Sequence, residues 1–220
     1  LILLTETGGV TMMKYIGFYW NVLAPLMKGS IKKRFGSDIA DKAIKNGKAK
    51  YKYILEKAND LGNHNPLAHN AYFAYAFVAA WLGCDKVLTP EQMGDVMGDV
   101  LHKVSFLFST TDMNKKSHVE KYKKTLGKYI DWQSENLKKY PSSWKMYVDD
   151  VPNGFSYHFT SCPIAATCKK LGFPEIMPPL CQTDHTMAAI RHGKLKRNGT
   201  IADGADICDY WFIGDKDNFQ

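Results

Sequence analysis

The chain changes its hydrophobic period near residue 140. Before that point apolar side chains recur every three or four residues; after it they alternate. "KYIGFYWNVLAPLM" is apolar on most faces, as a helix docked into a core would be. "GSDIADKAIKNGKAKYKYILEKAND" opens on a Ser37/Asp38 cap signal. It sets Ile39, Ala43, Ala49, Tyr53, Ile54 and Ala58 at near-helical spacing, with Gly47 weakening the middle. "LGNHNP" punctuates the pattern and places Pro66 to start the next helix. "PLAHNAYFAYAFVAAWLG" is apolar nearly all round, which predicts a central buried helix. "TPEQMGDVMGDVLHKVSFLF" begins with Thr89 as N-cap, Pro90 at the first helical position and an acid in the first turn. "SHVEKYKKTLGKYIDWQSENLKKY" reads as a further amphipathic helix, stopped by Pro141.

Four β-branched or aromatic runs follow, "WKMYVDDV", "GFSYHFTSC", "GKLKRNGTI" and "DICDYWFI", with "PNG" and "ADGA" as turn signals. Between the second and third lie two short helices, "PIAATCKKLG" and "PPLCQTDHTMAAI". The pattern predicts an α+β fold, an N-terminal helical layer packed on a C-terminal antiparallel sheet of about four strands with two inserted helices. Residues 12–220 read as a single domain, with 12–140 the helical layer and 141–214 the sheet and inserted helices that carry the site. Residues 1–11 read as a non-native or disordered N-terminus, with Met12 or Met13 as the natural start.

The net charge of +7 raises the question of an anionic partner. The lysines are dispersed along helical stretches and interrupted by acids, so they read as a solvated surface rather than a nucleic-acid face. No apolar run reaches the length of a membrane span, and Asn21 breaks the one stretch that resembles an export signal. Five cysteines, an odd number with no pair at CxxC spacing, fit reduced thiols in a cytoplasm better than a disulfide framework. No phosphate loop, HExxH or GxSxG motif points to other chemistry.

What remains is a concentration of thiols and acids after residue 155. Strand alternation sets Ser156, His158, Thr160 and Cys162 on one face, and Asp206, Cys208, Tyr210 and Phe212 on one face of the last strand. Cys181 and Asp184, three apart on a helix, face the same way, with His185 nearby. Three readings compete. The thiols pack as small hydrophobes, which suits Cys84 and Cys168; they hold zinc with His158 or His185; or one is a nucleophile activated by a neighbour. His69 and Asn70 stand where they would overlook a pocket or simply close a loop, and His102 and His118 read as surface residues.

The segment 160–212 is similar to the C-terminal half of the L-2-amino-thiazoline-4-carboxylic acid hydrolase family. The landmarks are Cys162; "LGFPEIMPPLC" leading into Cys181 and Asp184; Arg197 and Thr200; Gly204; and the closing Cys208, Asp209 and Tyr210. A looser likeness extends it to about residues 35–213. The resemblance implies a hydrolase that opens a small cyclic amidine carrying a carboxylate and gives an N-carbamoyl-cysteine type product. It implies catalytic groups among Cys162, Cys181, Asp184 and Cys208, and substrate contacts from His158, Arg197 and Thr200. Arg197 would pair with the substrate carboxylate, although alternation sets it opposite Thr200 unless a bulge intervenes; a structural ion pair is the other reading. Thr200 could instead bond the turn backbone, and Asp209 could anchor the last strand through Arg197. No cofactor and no metal are expected. The expected partner is a small carboxylate-bearing substrate, without nucleic acid or membrane, and a homo-oligomer stays open. The rival reading is a small-molecule-binding or sensing domain with cysteine-bound zinc.

Overall fold

In a computed structural model, which describes residues 11–107 and 110–219, the change of period becomes a change of layer. The helical layer comprises α1 (Gly17–Phe35), α2 (Ser37–Lys57), α3 (Ala68–Gly83), α4 (Pro90–Lys103) and α5 (Lys116–Asn136). Strands β1 (Lys145–Asp149), β2 (Phe155–Ser161), β3 (Gly193–Lys196) and β4 (Cys208–Gly214) form one antiparallel sheet in the order β1-β2-β4-β3. Helices α6 (Pro163–Lys170) and α7 (Met177–Ile190) are inserted between β2 and β3. The expected α+β architecture is present. The N-terminus expected to be non-native or disordered, apart from Thr11, lies outside the described residues.

Helix α3 is the hub, buried along most of its length and packed on α1, α2, α4 and α6. Its large side chains find partners for their polar tips, as buried Tyr and Trp must. Trp81 Nε1 donates to the Leu88 carbonyl at 2.7 Å, and the Tyr75 hydroxyl lies 2.9 Å from Thr167 Oγ1 in α6. Gly47, read from the sequence as a weak point in α2, is instead where α2 and α3 cross. It is buried under Trp20 and the Ala79 carbonyl, and a Cβ on Gly83 would meet the Ala43 carbonyl and the Gly47 backbone. Only glycine at both positions permits that approach.

Local signals held unevenly. Thr89 forms the full capping box of α4, accepting from the Gln92 N–H at 3.2 Å while its own N–H reaches Gln92 Oε1 at 2.9 Å. Ser37 does not cap α2; the cap residue is Gly36, and the Ser37 hydroxyl turns to Asp38. Helix α3 starts at Ala68, after Asn65 has taken the Leu67 N–H at 2.9 Å, rather than at Pro66.

Strand β3 is shorter than its alternating pattern suggests. The Asp209 carboxylate accepts the N–H groups of Asn198 and Gly199 at 2.9–3.0 Å, drawing the chain out of the sheet just after Lys196. On the inner face, Phe155 and Tyr157 of β2 sit opposite Phe212 and Tyr210 of β4. Their rings stack at 5.1 and 4.9 Å, forming an aromatic ladder below the helices.

The Gly47–Gly83 crossing predicts that Gly83→Ala destabilises the protein by roughly 1–3 kcal/mol, because backbone rather than a mobile side chain must give way. Gly127→Ala, in α5 with open space at its Cβ, should be neutral or stabilising by up to about 1 kcal/mol. Chemical denaturation of the two variants checks this; equal stabilities would contradict the close crossing.

Candidate active site

Between the aromatic ladder and the helical layer lies a cavity of about 480 Å³, within the range of roughly 300–1,000 Å³ typical of small-ligand sites. Its walls are mostly apolar, and one acid, Asp184, and one Lys or Arg, Arg191, are among its lining residues. A shallower groove of about 400 Å³ between α4 and α7 carries none of the candidate groups.

Three candidates meet on the cavity wall: Cys162, Cys181 and Asp184. Cys162 follows the last residue of β2 and caps α6, its Sγ 3.5 Å from the Ala165 N–H. Because the strand has ended, Cys162 leaves the alternation that would have set it beside His158, and it turns inward. Helix α7 opens on Pro178 and Pro179, and its Cys181 and Asp184 share a face as their spacing requires. The Asp184 carboxylate is held on one side only. Oδ2 accepts from Arg197 Nη1 at 2.8 Å and from the Tyr210 hydroxyl at 3.3 Å, while the described residues supply no donor to Oδ1. Protein surrounds the group, yet 38% of its side-chain surface faces the open cavity.

Arg197 explains that arrangement. Its side chain is 4% exposed, its Nη2 donates to the Cys181 carbonyl at 2.8 Å, and its guanidinium lies 5.4 Å from the Tyr210 ring centre. It reaches inward because β3 has already ended, so no bulge is needed. It is not among the lining residues, and its donors serve Asp184 and Cys181.

The remaining candidates lie elsewhere. Cys208 pairs in register with Phe159, is 4% exposed, and accepts the Ile201 N–H at 3.1 Å without reaching the cavity lining. Thr200 is buried and caps a short 3-10 turn (Ile201–Asp203), bonding both the N–H and the carboxylate of Asp203. His158 is on the outer sheet face, its Nδ1 2.8 Å from Asp149 and its ring stacked on Tyr147. The common face expected for His158 and Cys162 is therefore not formed, and Asp209 serves the 198–199 backbone instead of Arg197. His69 and Asn70 do border the cavity; His185 is exposed, and His118 accepts the Asp112 N–H at 3.0 Å. Among the described residues no group of three or more His, Cys, Asp or Glu could hold a metal ion, so the cysteine–zinc reading finds no donor set there. No described helix is long and apolar enough to cross a membrane.

The sequence model of the L-2-amino-thiazoline-4-carboxylic acid hydrolase family matches residues 69–212, well over half of the chain, including all of α3 but its first residue, the cavity-lining thiols and Asp184. The chain belongs to this family. Searches of curated proteins and of solved structures returned no match.

In this hydrolase-family chain burial favours the neutral form of Cys162, Cys168, Cys181 and Cys208. Burial pushes Cys162 up to about 11, only partly offset by N–H groups at the start of α6, and pushes Cys168 to about 12. Cys181 rises further, with the nearby Asp184 charge adding to burial. Burial also raises the Asp184 carboxyl, against the pull of Arg197 and Tyr210. Sequence reasoning did not place Arg191, Tyr122 and Tyr157 on the cavity wall, where the structure has them. A signal for the first existed: Arg191 lies seven residues beyond Asp184, two helical turns along the same face.

The raised thiols set a sign for alkaline stability. Between the ordinary thiol value of 9.0 and about 11, the unfolded chain loses the Cys162 proton while the folded chain keeps it. Stability from this source is complete below pH 9 and lost as pH rises through 11. Alkylation of the native protein at pH 8 should be slow at Cys162 and Cys181, and a Cys162→Ser variant should show a shallower fall in unfolding free energy between pH 9 and 11. A slope identical to that of the parent protein would contradict the buried neutral thiol.

Proposed function

We propose that the chain hydrolyses a 2-amino-thiazoline-4-carboxylate, with Asp184 as the acid–base group and Cys162 as the thiol that adds to the ring. The observation that carries this reading is the asymmetric Asp184 carboxylate, one oxygen pinned by Arg197 and Tyr210 and the other turned to the cavity. An amidine presents N–H donors and a basic ring nitrogen, which suit a carboxyl whose proton affinity burial has raised.

The reacting carbon stands between two nitrogens and the ring sulfur. Cys162 Sγ bonds to it while the thiol proton passes through Asp184 to the ring nitrogen. The bond from that carbon to the ring sulfur breaks, and the departing sulfur takes a proton from the adjacent amidinium nitrogen. Water then adds to the enzyme-bound isothiourea carbon, the bond to Sγ breaks, and the thiol regains its proton. One water is consumed and an N-carbamoyl-cysteine is released. Cys162 suits this role better than Cys181 because the Ile164 and Ala165 N–H groups support its developing negative charge. Cys181 flanks Asp184 on the same face, and Arg197 positions Asp184. Cys208, Thr200 and His158 have no contact with substrate in this reading. A thiol pushed to about 11 also favours a second course, in which Asp184 delivers water directly to the same carbon.

Ring opening by the purified protein tests the reading. Cys162→Ser and Asp184→Asn should each lower kcat by at least about 10²-fold, whereas Cys208→Ser should stay within a few-fold. Quenched mixtures should contain protein heavier by one substrate. Loss of activity in Asp184→Asn with full activity in Cys162→Ser and no adduct selects direct water attack. Unchanged turnover in both variants removes the whole assignment.

A further inference from the structure

A substrate carboxylate entering an apolar cavity needs a cation, because an unpaired buried charge is strongly disfavoured. Arg197, the cation that the sequence pattern offered for this purpose, is committed to Asp184 and the Cys181 carbonyl and lies behind the wall. Among the described lining residues one is a Lys or Arg, and burial disfavours the charged form of the other basic side chain there, His69. Arg191 terminates α7, where its backbone N–H bonds the Ala188 carbonyl and its own carbonyl accepts the Met113 N–H at 2.9 Å. Its guanidinium stands 5.4 Å from the Tyr122 ring centre, and Nη1 reaches the Tyr122 hydroxyl at 3.5 Å. The Tyr122 ring in turn packs on Phe155 at one end of the aromatic ladder.

We propose that Arg191, steadied by Tyr122, is the carboxylate-recognising residue of the cavity and sets its specificity for acidic ring substrates. The inference rests on the hydrolase reading for the identity of the substrate, but the cation and its placement stand apart from it. Arg191 and Asp184 are seven residues apart, about 10 Å along the α7 axis. A compact ring with an amidine at one end and a carboxylate at the other fits between two side chains so spaced. Tyr157, in the ladder between them, lies within electrostatic reach of Tyr122, Asp184 and Arg191 alike. A planar guanidinium over an aromatic ring is suited to hold a carboxylate through paired N–H donors, which a lysine cannot reproduce. The cavity then has one end for cationic amidine nitrogens and one for the anion, and a ligand bearing both is favoured because its charges are paired inside apolar walls.

The experiment compares three probes on the full chain: 2-amino-thiazoline-4-carboxylate, 2-amino-thiazoline without the carboxylate, and thiazolidine-4-carboxylate, which has the anion but no amidine carbon. Arg191→Met should lose on the order of 10²-fold in kcat/KM on the first probe, through KM rather than kcat, and nothing on the second. Arg191→Lys should recover part of that loss, and Tyr122→Phe should lose less than Arg191→Met. Calorimetric binding of thiazolidine-4-carboxylate should weaken in parallel. A purely structural Arg191 would lower thermal stability while preserving the preference for the carboxylate probe, and that preserved preference overturns the proposal. Binding of thiazolidine-4-carboxylate that depends on Arg191, without turnover of any probe, would leave the recognition site standing and remove the hydrolase reading. Hydrolysis indifferent to Arg191 does the reverse. No binding and no turnover in the parent protein removes both.

Discussion

The ion pair between Asp184 and Arg197 is the constraint on which the cavity depends. A carboxylate cannot face an apolar void alone, and a 4% exposed guanidinium cannot lie behind the wall without an anion. Removing Asp184 is the costlier change, because the Arg197 guanidinium would then stay buried without its anion, whereas Asp184 keeps a face open to the cavity. The pair also fixes topology. It ties α7 to the chain just beyond β3, and the Tyr210 hydroxyl ties both to β4. That geometry requires β3 to stop at Lys196, which the Asp209 carboxylate enforces by taking two successive N–H groups. A short strand, a turn and a capped carboxylate are one arrangement.

The cysteines divide by what surrounds their sulfur rather than by position in the sequence. Cys84 donates to the Trp81 carbonyl and is fully buried, and Cys168 is likewise without exposure. Cys208 accepts a backbone N–H and helps hold the turn that follows Arg197. Only Cys162 and Cys181 meet open space, and burial keeps both protonated at rest. Any nucleophilic work must therefore be induced by a guest that accepts the proton, rather than stored as a standing thiolate.

Periodicity made the layers legible, because helical and alternating patterns cannot substitute for one another. The Thr89 start was legible for the same reason: its side-chain chemistry acts within one turn. The errors arose where long-range packing or a chain reversal overrode a local rule. Gly47 reads as helix-weakening until α3 is laid across it. His158 and Cys162 obey alternation only while the strand continues, and β2 ends between them. Alternation gives Arg197 and Thr200 faces of a strand that ends at Lys196. In the candidate site, Cys181 and Asp184 were recoverable because helical spacing alone sets their common face. Tyr122 and Arg191 meet across 69 residues, a contact no spacing encodes.

Sheet and helices contribute different things to the cavity. The ladder of Phe155, Tyr157, Tyr210 and Phe212 is locked by strand register, and Asp184 of α7 is locked by its ion pair with Arg197. Phe73, Met97 and Leu101, by contrast, enter from α3 and α4 as plain apolar side chains with no polar obligations. Exchanges of volume at those positions can reshape the chamber while leaving Cys162, Cys181 and Asp184 undisturbed. A lineage built on this plan can thus drift toward bulkier or slimmer guests, with the helices absorbing the adaptation and the sheet preserving the inheritance.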